Sequence, residues 1–268
     1  MIYRHWYMKK IFYIIFFLFS FVSSSVSKNQ YQPFEIGQIL SGKIDYAYDS
    51  TLFLPPGEWL VKIVSNSNTF ENSKSFGPNT NIYTIGLFQI DKNKKILKKF
   101  IEFEFSDQVQ TYWIRPADCN RENIYIYEKN YGGHTFNCWM VNHLRLSLSH
   151  KLNSFEKKLK DFLISENLKI PEIVIYSQHL YASPRNGDIF HKIKYYINPE
   201  AEGIEPPVYN NWDTSEYQKI KISSYPKKKQ FLDNFVIISA NYHKEFQDGL
   251  KMYNDEKIQL EKYKTFNK

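Results

Sequence analysis

Alternating apolar and polar residues, the period of a half-buried strand, recur along most of this chain. Between Ile36 and Ser65 the pattern predicts three short strands. Ile44, Tyr46 and Tyr48 alternate, Leu52-Phe53-Leu54 runs into the turn former Pro55-Pro56-Gly57, and Glu58 to Val64 resumes as a strand. Ile82–Asp91 and Ile96–Phe105 read as a hairpin across Asp91-Lys92-Asn93-Lys94. On its second arm Ile101, Phe103 and Phe105 form the expected inward face, with Phe100, Glu102 and Glu104 on the other parity. Residues 108–148 read as strand, turn and strand with Tyr131-Gly132-Gly133-His134 at the tip. Glu172–Tyr181 and Asp188–Asn198 follow as two long strands, and Tyr217–Ser223 as a last short one.

Two stretches change period. In residues 150–168, Leu152, Phe155, Leu159, Phe162 and Leu163 follow helical spacing, with Asn153 and Glu156 placed as a capping pair. From Pro226 a long helix is expected, its buried stripe drawn through Phe231, Phe235, Ile238, Tyr242, Phe246, Leu250 and Tyr253. The predicted class is α+β: a mostly antiparallel sheet of about eight to eleven strands, one mid-chain helix and one long C-terminal helix. Residues 28–268 are expected to form a single domain, with a candidate seam near residue 150.

The N-terminus has a different logic. Arg4, Lys9 and Lys10 precede an uncharged apolar run from Ile11 to Val22, and small residues follow at Ser23, Ser24, Ser25 and Ser27. This is the order of a secretory signal peptide over residues 1–27, with cleavage after Ser25 or Ser27 and a start at Met1 or Met8. The expectation is export to the periplasm or beyond. The alternative is an inner-membrane anchor formed by residues 11–27, although a span wants about 20 apolar residues. Asn-x-Ser/Thr sites are absent, in keeping with a bacterial route.

Charge alters little. The leader holds three basic residues and no acidic one, so the remainder carries 32 basic against 28 acidic residues, a net +4. Lysine clusters at 92–99, 157–160 and 227–229 fall in a turn, on a helix and before a helix, without a motif that would aim them at nucleic acid. No nucleic-acid partner is expected, and membrane contact only through an uncleaved leader.

Two cysteines, Cys119 and Cys138, remain in an exported chain, and a disulfide is the expected state. Closing the 18-residue loop between them is worth roughly 3 kcal/mol by chain entropy. Together with His134 and His143 they match a zinc site in number but not in spacing, so no metal and no cofactor is expected. A His179–His191 pair across the later hairpin also lacks a third ligand. The candidate ligand- or partner-facing residues are Glu58 and Trp59 after the Pro-Pro-Gly turn, His134 and His143 in the central hairpin, and Glu200, Glu202, Trp212 and Asp213 in the acidic, Pro-rich loop 198–216. Carboxylates grouped like these can act as acid and base in glycoside cleavage. Trp59 also has a purely structural role open to it, as the anchor of the next strand.

Leu54-Pro55-Pro56-Gly57-Glu58-Trp59, the spaced cysteines ending in Cys138-Trp139, and Asn198-Pro199-Glu200 with Gly203 resemble a group of uncharacterised exported proteins of proteobacteria. The resemblance implies export and no particular activity. The chain shows no GxSxG, HExxH, Walker loop, CxxC or dinucleotide fingerprint. The leading expectation is therefore a non-catalytic envelope protein that binds a protein partner or small ligand through residues 65–81 and 198–216. The alternatives are a periplasmic hydrolase using Glu58 or the 200–213 acids with a histidine, and a membrane-anchored envelope component.

Overall fold

A computed structural model describes residues 34–47, 50–68, 81–106, 125–132, 135–146, 154–183, 189–208 and 214–250. The leader, Cys119, His134, Trp212, Asp213, most of the 65–81 loop and the tail beyond residue 250 lie outside the described residues.

The strands are β1 (Ile39–Leu40), β2 (Lys43–Asp45), β3 (Thr51–Phe53), β4 (Trp59–Asn68), β5 (Asn81–Asp91), β6 (Ile96–Ser106), β7 (Ile126–Gly132), β8 (Thr135–Arg145), β9 (Ile173–Ser183) and β10 (Ile189–Ile197). Eight of them form one sheet in the order β1-β4-β5-β6-β10-β9-β8-β7, and every pairing is antiparallel. The sheet is thus two meanders, β4-β5-β6 and β7-β8-β9-β10, joined where β10 pairs with β6. β8 pairs with β9 from Phe136↔Ala182 to Arg145↔Ile173. The class is α+β, with helix α1 (Ser154–Ser165) in mid-chain and helix α2 (Pro226–Gly249) at the C-terminal side.

The helices take opposite faces of the sheet. Phe155, Leu159, Phe162 and Leu163 of α1 pack on Ile63, Phe88, Leu97, Phe100, Tyr176 and Tyr196. Gly86 lets α1 come this close: a Cβ there would meet Ile63 at 2.9 Å and Phe155 at 3.1 Å. Asn167 ends the helix in the left-handed region (φ 49). Its N–H donates to Ile164 and that of Leu168 to Leu163, a Schellman closure. The other face carries the β2–β3 ribbon and α2. There Tyr46, Leu52 and Phe246 cover Trp59, Leu87, Ile101, Phe103 and Ile193, while Leu232 and Phe235 cover Trp139, Val141 and Ile175.

Three expectations need correction. Residues 217–223 are not a strand: they pass through turns into a 3-10 turn at Ile222–Ser224, with Tyr217 buried under α2. Of the expected stripe of α2, Phe235, Phe246 and Leu250 are buried, but Ile238 is 43% exposed, and Leu232 and Ser239 are buried in addition. Finally, β6 has no solvent face in its centre. Ile101, Phe103 and Phe105 point to the α2 side as expected, yet Phe100 and Glu102 on the opposite parity are also buried.

Candidate functional site

The register across the sheet places side chains in rows on the α1 side. Phe88 lies opposite Phe100, Phe100 opposite Tyr196, and Tyr196 opposite Tyr176. The Phe100 and Tyr196 rings stack at 4.0 Å between centroids and 9° between planes. The next row is polar: Glu102 on β6 faces Lys194 on β10, which faces Gln178 on β9. One step further Glu104 faces Lys192. Opposite charges directly across a ladder reinforce its register.

Between α1 and these rows lies a cleft of about 170 Å³. Its floor is Phe100 and Glu102 from β6, Lys194 and Tyr196 from β10, and Tyr176 and Gln178 from β9. Phe155, Glu156 and Leu159 of α1 form one wall, and Leu144 and Leu146 at the end of β8 the other. A buried charge persists only when paired and hydrogen-bonded. Glu102 meets both conditions: Lys194 Nζ donates to its carboxylate at 2.8 Å and the Tyr196 hydroxyl at 2.7 Å. Burial works to raise its pKa, but the Lys194 and Lys192 ammoniums outweigh burial and hold it below the ordinary carboxylate range. Glu104 goes the other way: burial and the neighbouring Glu102 charge raise it against the pull of Lys192.

A second polar cluster lies on the opposite face. His179 Nδ1 is 3.2 Å from His243 Nδ1, bringing β9 and α2 together beside Trp139. His179 Nε2 meets Ser177 Oγ at 3.0 Å, and His243 Nε2 meets the Gln247 amide at 2.9 Å. His191 turns away from this pair and takes the Tyr46 hydroxyl at 3.0 Å. Burial lowers the pKa of all of these imidazoles, to about 4 for His243, to about 3 for His191 and well below 6.5 for His179, where the neighbouring His243 adds to the effect. Among the described residues no group of three or more His, Cys, Asp or Glu side chains gathers that could hold a metal.

The candidates read from the sequence are scattered by the fold. Glu58 is exposed in the Pro-Pro-Gly turn, and Gly57 holds that turn with φ 111. Trp59 is 1% exposed, and its Nε1–H donates to the Pro55 carbonyl at 2.8 Å, so the indole anchors the turn to the core. His143 is buried beside Tyr125, whose hydroxyl is 3.1 Å from Nδ1, and burial lowers its pKa to about 4. Five ladder steps separate β4 from β8, about 24 Å at the usual strand spacing. Glu58 and His143 therefore do not converge. Asn198 caps the 3-10 turn Pro199–Glu202 by accepting from the Glu200 N–H, and its own amide donates to the Leu97 carbonyl at 2.8 Å. Glu200 is held by Lys169 at 2.5 Å, and Glu202 is exposed. The Asn-Pro-Glu string thus ties the end of β10 to the start of β6. Cys138 is buried in β8, and no free thiol occurs among the described residues.

The cleft residues Glu102, Glu156, Tyr176, Gln178, Lys194 and Tyr196 were not singled out from the sequence. A signal was available: Glu-x-Glu at 102–104 and Lys-x-Lys at 192–194 are matching charged parities on two strands. No family model, curated protein or solved structure matches the chain.

Proposed function

We propose that this is an exported, non-catalytic binding protein of the bacterial envelope, acting in the periplasm, with a small ligand seated in the cleft between α1 and the sheet. The observation that carries the reading is the cleft itself: a largely polar surface set by Glu102, Lys194 and Gln178 on an antiparallel floor, with Glu156 among aliphatic and aromatic side chains in its walls. At about 170 Å³ it is smaller than the roughly 300–1,000 Å³ of sites for drug-sized molecules, which restricts the occupant to a small compound. A carboxylate paired with Lys194 and hydrogen-bonded by Tyr196, and so held below its ordinary range, is a poor proton acceptor at neutral pH. That favours fixed recognition over acid–base chemistry. Export is supported by the basic, apolar and small-residue order of the leader. None of the described helices is long and apolar enough to cross a membrane.

The test is ligand-observed NMR on the mature chain with a mixture of small polar and amphipathic molecules, repeated with a Leu146→Trp variant that fills the cleft. Binding that disappears in the variant is expected. An absence of any binding, or binding that the tryptophan leaves intact, overturns the reading.

A further inference from the structure

Helix α2 is held on the sheet by apolar side chains at its two ends and by a polar relay in its middle. Leu232 and Phe235 cover Trp139, Val141 and Ile175 near its start, and Phe246 joins the cluster of Leu52 and Trp59 near its end. Between them the inward positions are Ser239, Tyr242 and His243. The Gln247 amide nitrogen can only donate, so His243 Nε2, 2.9 Å away, accepts. His243 Nδ1 then carries the proton and donates to His179 Nδ1 at 3.2 Å, and His179 Nε2 donates in turn to Ser177 Oγ at 3.0 Å. Every bond of this relay is satisfied with both rings neutral. An added proton must go to His179 Nδ1 or His243 Nε2, and at either it meets another donor head-on. Turning the Gln247 amide over relieves the clash at His243 but leaves an imidazolium beside His179, which is wholly buried, and a buried charge without a partner is costly. Among the described residues no carboxylate bonds to either imidazole. The titratable neighbours are Tyr195 from β10 and, on α2 itself, Tyr242, Lys244, Glu245 and Asp248, while His143 on β8 and His191 on β10 lie further along the face, held by Tyr125 and Tyr46. Burial raises Tyr195 and Tyr242, so both stay neutral in acid.

We propose that the His179–His243 contact is an acid-operated latch: protons taken up by these two imidazoles release α2 from the sheet and bare Trp139 and His179, while the strands stay paired. β9 is hydrogen-bonded to β8 and β10, so its ladder is complete without α2. Both rings are neutral while α2 is docked and return to the ordinary imidazole pKa of about 6.5 once solvated. Docking is therefore fully favoured above that pH and is lost as pH falls toward the docked values, about 4 for His243. The docking equilibrium falls about tenfold per pH unit for each histidine over that window. The latch is independent of the cleft, which lies on the opposite face of the sheet.

Amide hydrogen exchange of the protein at pH 7 and pH 5, corrected for the intrinsic exchange rate, tests the latch. Protection of Pro226–Gly249 is expected to fall by at least about a hundredfold, and that of β9 and β10 by less than about tenfold. Gln247→Glu supplies a carboxylate that accepts from the imidazolium N–H, and it is expected to cancel most of the fall in α2. His243→Gln removes one of the two titrating rings and is expected to reduce the fall by about tenfold. Protection of β9 and β10 at pH 7 shows that each variant is folded, and if one fails to fold the other decides. The latch is overturned if wild-type α2 keeps its protection at pH 5, or if helix and strands lose protection together. It is also overturned if a folded variant loses α2 in acid as readily as wild type.

Discussion

Lys194 stands directly opposite Glu102 in the β6–β10 register and closes on its carboxylate at 2.8 Å, in the middle of a face otherwise covered by α1. The pair sits where the two meanders of the sheet are joined, so it fixes both the register of that junction and the charge of the cleft floor. Glu102 has 4% of its side chain exposed and Lys194 19%, so neither is well solvated.

Removing the cation alone leaves a buried carboxylate without its main partner. Lys194→Met is expected to lower the free energy of unfolding by about 3–5 kcal/mol, the usual cost of breaking a buried pair from one side. The Glu102→Gln/Lys194→Met double variant is expected to recover a large part of that loss. Urea unfolding at pH 7 measures both. A single variant within about 0.5 kcal/mol of wild type would show that the pair is solvated and stabilises nothing.

Acid sensitivity follows from the buried imidazoles. Burial lowers His143 and His243 to about 4 and His191 to about 3, and burial with the neighbouring His243 lowers His179 well below 6.5. Each is therefore neutral in the fold but takes up a proton in the unfolded chain below pH 6.5. Their contribution is fully present above that pH and is lost as pH falls through the folded values. The slope is about 1.4 kcal/mol per pH unit for each group, or on the order of 2 kcal/mol per histidine at pH 5. The urea midpoint should fall steeply between pH 6.5 and pH 5, and His243→Gln should make the fall shallower. A midpoint that stays flat to pH 5 would contradict the burial of these rings.

The Pro-Pro-Gly-Glu-Trp turn separates structure from chemistry. Trp59→Phe loses the hydrogen bond to Pro55 and leaves a void in the core, at a cost of about 1–3 kcal/mol. Glu58→Gln, at an exposed position, should stay within about 0.5 kcal/mol and leave ligand binding unchanged. Thermal unfolding and the ligand-observed NMR give both answers, and a binding defect in Glu58→Gln would return that carboxylate to the site.

Export and the Cys119–Cys138 bridge have a common readout, the intact mass of protein recovered from fractionated cells. The expected species begins at Val26 or Lys28 and gains about two mass units on reduction. A full-length, membrane-bound species with free thiols would contradict both.

Much of the architecture was legible in local patterning, and the failures have physical causes. The β5–β6 and β9–β10 hairpins and both helices announce themselves because period and turn chemistry are local properties. The parity of Phe100, Glu102 and Glu104 was equally plain, but parity says which residues share a side and not what covers it. Only the non-local pairing of β10 with β6 brings Lys192 and Lys194 opposite the glutamates, and only the return of α1 over that junction closes the cleft. On α2 the apolar stripe held at Phe235, Phe246 and Leu250 and failed at Ile238, because the helix also packs through Ser239 and His243, beside Trp139 and His179. The Trp59 and Asn198 strings stood out in the sequence for structural reasons: each ties a turn to the core.

The measurement that tests the account most directly is methyl NMR of the leucine-labelled protein titrated with the mixture of small polar and amphipathic molecules. Leu144, Leu146 and Leu159 line the cleft, and their methyl signals should shift together in a saturable way while Leu52, Leu87 and Leu232, in the cores on the opposite face, stay fixed. Shifts confined to those distant leucines, or no saturable shift at all, would contradict a ligand site between α1 and the sheet.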